Sequence, residues 1–176
     1  EFIFSTNVHP VVVKPPARHP LLWYLWNEWA VPAALRKVKA DLFISPDGCI
    51  PLDGKVKTIS VIHDLNFERH PEFVPFSERV FYRNFYPQYA RKAGRIVTVS
   101  EYSKTDISET YGVSSDKIDV AYNGSGSEFA PVPAEKQKQA RDAYSDGCEY
   151  FIFVGGLYPR KNIRNLMLAF DIFKKK

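Results

Sequence analysis

Four short apolar runs, "ADLFIS" (residues 40–45), "VKTISVIHD" (56–64), "GRIVTVS" (94–100) and "KIDVAYNG" (117–124), alternate along this chain with longer stretches of helical periodicity. Runs this short, rich in β-branched residues and apolar at odd and even positions alike, suit strands covered on both faces. Such strands pair in parallel, because each needs a helical crossover to return the chain to the same edge of the sheet. The expected fold class is therefore α/β, a doubly wound parallel sheet. The crossovers are legible too. Residues 21–39 carry Leu, Trp and Val at helical spacing, with Pro32 expected to kink or restart the helix. A second helix is predicted over 77–92, bent at Pro87, and a third over 101–111, with Ser100 as its N-cap and Gly112 at its end.

After Gly124 the pattern stops. "SGSEFAPVPAEKQKQARDAYSDGCE" is small, polar and proline-rich, which predicts a domain junction followed by one helix. "YFIFVGG", from Tyr150, then reads as the first strand of a second α/β unit, followed by "LYPRKN" and a helix over 163–176. The expected organisation is a partial doubly wound α/β domain over 1–120, a linker and helix over 121–148, and the start of a second α/β domain over 149–176.

Open parallel sheets bind ligands beyond the carboxyl ends of their strands. That rule selects His63 and Asp64, Ser100, Asn123 and Gly124, and the turn containing Gly155, Gly156, Arg160 and Lys161. Each has a plainer role as well. A histidine at a strand end is often structural, Asp64 suits a loop cap, Ser100 an N-cap, and Asn123-Gly124 a turn or hinge. Arg160 and Lys161 could be solvated cations of a first helical turn, although that end of a helix dipole disfavours them.

Composition narrows the function classes. The net charge of +4 is spread along the chain apart from Lys174, Lys175 and Lys176, and no aromatic strand motif for RNA is present, so nucleic acid is not an expected partner. Cys49 and Cys148 have no metal-ligand spacing; two lone thiols suit a reducing compartment, and no metal is expected. No apolar run reaches membrane-spanning length. The sequence opens on Glu1-Phe2 without an initiator methionine, and a piece of a longer protein is expected.

"SVIHDLNFERHPEFVP", "VTVSEYSKTDISETYGVSSDKIDVAYNG", the following Phe129 and Pro131, and "YFIFVGGLYPRKNIRNLMLAF" appear in unbroken order. Together they resemble the retaining, nucleotide-sugar-dependent glycosyltransferases of family four, and in particular their mannosyltransferase-like branch. The resemblance implies a GT-B architecture of two facing Rossmann-like domains, of which this chain would hold part of the first and the beginning of the second. It implies a donor that is a nucleotide-diphosphate sugar, an acceptor that is a saccharide or a lipid-linked saccharide, no cofactor, and a cytoplasmic site of action, peripheral to the inner face of the membrane.

It also implies roles. His63 would hydrogen-bond a hydroxyl of the donor sugar in the interdomain cleft, orienting the ring. Lys161 matches a family lysine that holds the donor diphosphate. Many members carry an arginine where this chain has Gly156; Arg160 is read as the substitute, with Gly155 and Gly156 admitting the diphosphate close to the backbone. The paired glutamates of the family's donor site would lie beyond Lys176. Two other readings stay open: a nucleotide-sugar epimerase of the same architecture, and a non-catalytic interaction module. The helix "SERVFYRNFYPQYARKAGR" interleaves cations with aromatics, which suits either contact with a membrane surface or an aromatic core face with a solvated basic one. The apolar face of 163–173 needs a partner, so association between copies is expected.

Overall fold

The computed structural model describes residues 5–14, 19–126 and 129–175. Residues 127 and 128 of the expected linker, and Lys176 of the expected last helix, lie outside the described residues. The chain divides into two compact units, one ending at Asn123 and the other beginning at Gly124.

The first unit opens with α1 (Pro20–Leu25), which widens into a π turn over Trp26–Ala30 and continues as α2 (Val31–Lys37). The expected break at Pro32 takes this form. Proline has no N–H, and its ring collides with the carbonyl four residues back in a regular helix. Here the preceding turn is expanded instead, and the Val31 N–H reaches back to the Trp26 carbonyl. The chain then runs through β1 (Leu42–Ser45) and β2 (Lys57–Val61) to the short α3 (Asn66–Arg69) and the long α4 (Phe76–Lys92). β3 (Arg95–Thr98), α5 (Glu101–Tyr111) and β4 (Ile118–Val120) complete it.

All strand pairs are parallel, and the order in the sheet is β1-β2-β3-β4. A sheet wound in one direction by crossovers of one hand puts successive crossover helices on one face. Accordingly α4 and α5 touch each other. Between that helical layer and the sheet lies the core: Tyr89 and Ala90 of α4, Ala93 just past its end, and Ile107 and Tyr111 of α5 join Ile96 and Ile118 of the sheet and Ile62 just after β2. Phe81, Tyr82, Phe85 and Tyr86 of α4 belong to the same packing, so these aromatic residues of the basic helix face the core, while Phe76 at its start is exposed. Their rings form a continuous series, with Phe81–Phe85 centroids 4.9 Å apart and Tyr86–Tyr89 5.9 Å apart. Arg83 is held by Glu68 at 3.2 Å, and Arg79 lies over the Phe76 ring.

β1 departs from the expectation of a buried strand. It forms the edge of the described sheet, and Leu42 and Ile44 are exposed, while Ser45 is buried. Face decides this: Leu42 and Ile44 share the face of Ile59, whereas Ser45 is in register with Ser60, Ile96 and Ile118 on the face covered by α4 and α5.

Local chemistry explains the ends of the helices. Ser100 Oγ accepts from the Ser103 N–H at 3.1 Å, and Gly112 closes α5 in the left-handed region at φ 63°. At the C-terminus of α4, Lys117 Nζ donates to the Ala90 and Arg91 carbonyls at 3.0 and 2.7 Å, a cation placed where the helix dipole favours one.

The second unit contains α6 (Ala134–Ser145), a 3-10 turn over Pro159–Lys161 and α7 (Ile163–Lys174). The strand expected from Tyr150 does not form: residues 150–154 take no ladder hydrogen bonds and their side chains are exposed. Phe151 instead meets Phe170 and Phe173 of α7 edge-on, with both centroids at 5.8 Å. A strand needs a neighbour, and the second unit has no strand among its described residues.

Candidate functional site

Because the four strands are parallel and adjacent, their carboxyl ends make one rim. Pro46 follows β1, His63 follows β2, Ser100 follows β3 and Asn123 follows β4. The hydrogen-bond ladder extends past the strands toward this rim, with Ile62 N–H bonded to the Val97 carbonyl at 2.9 Å and Ala121 N–H to the Thr98 carbonyl at 2.8 Å.

His63 is exposed at the rim. Its Nε2 lies 3.1 Å from the Pro46 carbonyl oxygen, and its own carbonyl accepts from Thr98 Oγ1 at 3.4 Å. A carbonyl can only accept, so the contact places the ring proton on Nε2 and leaves Nδ1 of the neutral imidazole as an acceptor. Asp64 takes the loop-capping role, its Oδ1 accepting from the Asn66 N–H at 2.8 Å to open α3. Ser100 is committed to the α5 cap, and Asn123 and Gly124 flank the boundary between the two units.

α3, which follows His63, is fixed from two sides. Arg69 Nε donates to Asp106 Oδ1 at 3.0 Å and its NH2 group bonds the same oxygen and Thr110, both on α5. Glu68 accepts from Tyr111 and pairs with Arg83. Burial, and then the Glu68 carboxylate, push the Tyr111 phenol well above its ordinary range, so it remains a donor.

Glu28 is buried within the π turn. Its carboxylate accepts from the Leu52 N–H at 2.9 Å and more weakly from the Asp53 N–H at 3.4 Å, tying down the loop between β1 and β2. Desolvation raises its pKa, and these backbone donors pull against that shift. Sequence reasoning missed Glu28. The only available signal was a carboxylate set among tryptophans four residues before a proline.

The second unit carries Gly155, Gly156, Arg160 and Lys161. Here the structure corrects the expected first helical turn. Arg160 and Lys161 occupy the 3-10 turn before α7, with Lys161 N–H bonded to the Tyr158 carbonyl at 2.9 Å. Asn162, left-handed at φ 52°, separates them from the helix. Both cations are exposed, and neither has an ion-pair partner among the described residues. Gly156 lies under the Tyr158 ring, where an added Cβ would come within 2.3 Å of a ring carbon.

Among the described residues no cluster of three or more His, Cys, Asp or Glu is placed to hold a metal ion, and no helix is long and apolar enough to cross a membrane.

Residues 2–125 match the family described as Glycosyltransferase Family 4. The chain belongs to this family. Among curated relatives, it is 31% identical over 163 residues to the O-antigen chain mannosyltransferase RfbU of Salmonella typhimurium, an alignment covering 92% of this chain and 42% of the relative. O-antigen chain mannosyltransferase B of Escherichia coli is 25% identical over 140 residues, covering 79% and 36%. The serotype-specific mannosyltransferase WbdA of Escherichia coli is 32% identical over 133 residues, covering 70% and 16%. The family 4 chain described here thus spans less than half the length of each of these relatives. No solved structure matches it.

Proposed function

We propose that the protein to which this family 4 chain belongs transfers a hexose, mannose in the first instance, from a nucleotide-diphosphate sugar to a saccharide acceptor with retention of configuration. The observation that carries this reading is the likeness to mannosyltransferases along almost the whole chain, with His63 standing on the strand-end rim where an open α/β sheet receives ligands. In the first unit His63 orients the donor sugar through a hydroxyl. In the second, Lys161 and Arg160 stabilise the charge that builds on the leaving diphosphate, Lys161 as a point charge and Arg160 as a planar fork. Gly155 and Gly156, with no side chains of their own, let the diphosphate approach the backbone once the Tyr158 ring that covers Gly156 swings aside. No cofactor takes part in this scheme. The acceptor is a saccharide, free or lipid-linked, met on the cytoplasmic side at the inner face of the membrane.

The test uses the full-length protein, mixed with a panel of nucleotide sugars and followed for release of nucleoside diphosphate with and without saccharide acceptors. Acceptor-dependent release from a nucleotide-activated mannose is the expected result. Conversion of the donor sugar without any acceptor would instead indicate an epimerase, and no turnover by a folded protein would indicate a binding module. Lys161→Ala is expected to lower turnover by about a hundredfold, the scale on which a preorganised charge-stabilising donor acts. Unchanged turnover removes Lys161 from the mechanism.

A further inference from the structure

The loop between β1 and β2 is held by side chains from three separate elements. Tyr86 Oη on α4 donates to the Asp47 carbonyl at 2.8 Å. Ser60 Oγ on β2, fully buried, donates to the Gly48 carbonyl at 2.7 Å. Glu28, in the π turn, grips the Leu52 and Asp53 N–H groups. Gly48 is left-handed at φ 79°, and an added Cβ would sit 3.2 Å from the Tyr86 ring, so the backbone turns tightly against that ring. At the lip of the loop Pro46 and Asp47 are exposed, whereas residues 48–51 behind them are buried. The Pro46 carbonyl on that lip is the group that meets His63 Nε2 at 3.1 Å.

We infer that Tyr86 and Ser60 are positioning residues for His63: by fixing residues 46–48 they hold the Pro46 carbonyl against Nε2–H and keep Nδ1 bare as a hydrogen-bond acceptor at the rim. The opposite tautomer would set the Nε2 lone pair against the lone pairs of the carbonyl, which is repulsive. Fixing the proton in this way selects the ligand. A bare Nδ1 takes a group that donates, such as a sugar hydroxyl, and gives nothing to a phosphate oxygen, which only accepts. While the imidazole is neutral, the loop therefore assigns His63 to the sugar and not to the diphosphate. This inference rests on the reading that His63 meets the donor.

Two measurements separate the device from that reading. The first records long-range correlations to the His63 ring nitrogens of the chain in mildly alkaline buffer. The expected spectrum has the proton on Nε2 and a bare Nδ1; in Tyr86→Phe, which keeps the ring in the core, and in Ser60→Ala, the Nδ1 resonance moves toward its protonated position as the tautomers mix. A proton on Nδ1 in the unaltered chain, or an unmoved resonance in both folded variants, overturns the inference. The second measures donor turnover by the full-length protein, where both variants are expected to lower kcat by up to about tenfold with little change in acceptor KM, the scale of one hydrogen bond. Ring spectra that shift as expected while turnover stays unchanged overturn the assignment of His63 to the donor.

Discussion

The two units reach different degrees of closure. In the first, Ile62, Ile96, Ile107 and Ile118 are at most 1% exposed, whereas in the second Phe151 and Ile152 are 77% exposed and α7 leaves Leu166, Met167, Ile172 and Phe173 open. Both units contain apolar runs bounded by turns. The difference is that each central strand of the first unit has neighbours on either side, while residues 150–154 have none. An apolar run becomes a strand through its partners, and burial follows from the pairing.

The sharpest test of the comparison is a matched pair of truncations. Ile96→Ala, in the middle of the sheet, is expected to cost about 2–5 kcal/mol in urea unfolding. Ile152→Ala is expected to change stability by less than about 0.5 kcal/mol. Equal effects would mean that residues 150–154 are packed after all. Thiol chemistry gives a second contrast. Burial pushes Cys49 up to about 11 from an ordinary value of 9.0, which cuts its thiolate fraction about a hundredfold, while Cys148 is exposed. Alkylation under native conditions should modify Cys148 first and reach Cys49 only on unfolding; rapid labelling of both would break the contrast.

Helix ends supply a smaller effect. Ser100→Ala removes the cap of α5 and should cost about 1 kcal/mol. Asn162→Gly relaxes a left-handed residue that makes no side-chain cap bond at α7, and should add a few tenths of a kcal/mol. A gain from the first change or a large loss from the second would reverse the assignment of these caps. The smallest effect is one of pH. Desolvation raises the pKa of Glu28 above 4.5, so the folded chain binds that proton more tightly than the unfolded one. The contribution of Glu28 is therefore fully present below pH 4.5 and declines as pH rises through its raised folded value. Glu28→Gln should remove that decline from the stability profile, and identical slopes in the two proteins would show that Glu28 titrates as it does in water.

Features governed by neighbours a few residues away were legible in the sequence. The Ser100 cap and the Gly112 stop follow from side-chain and backbone chemistry within one helix, and His63 could be put at a strand end because the run before it is so plainly apolar. Features governed by distant partners were hidden. Nothing local distinguishes the edge position of β1 from the interior position of β3, or shows that Glu28 reaches Leu52. The displacement of Arg160 and Lys161 from α7 lies between these cases. Pro159 and Asn162 both favour a turn, but the left-handed Asn162 that divides turn from helix is one of two conformations open to that residue.

The π turn at Trp26–Ala30 makes the number of residues in this segment a coded quantity. A turn closed i→i+5 takes up one residue more than an α turn while the helix on either side keeps its face. Removing one residue from it would leave an ordinary α turn, with Trp23 and Tyr24 still aimed at the core and Val31 still buried, but would bring the Pro32 ring back against the carbonyl of the preceding turn. The same deletion made in α1 would instead rotate its surface by about 100°, so a gap in this helix has opposite meanings on the two sides of Trp26.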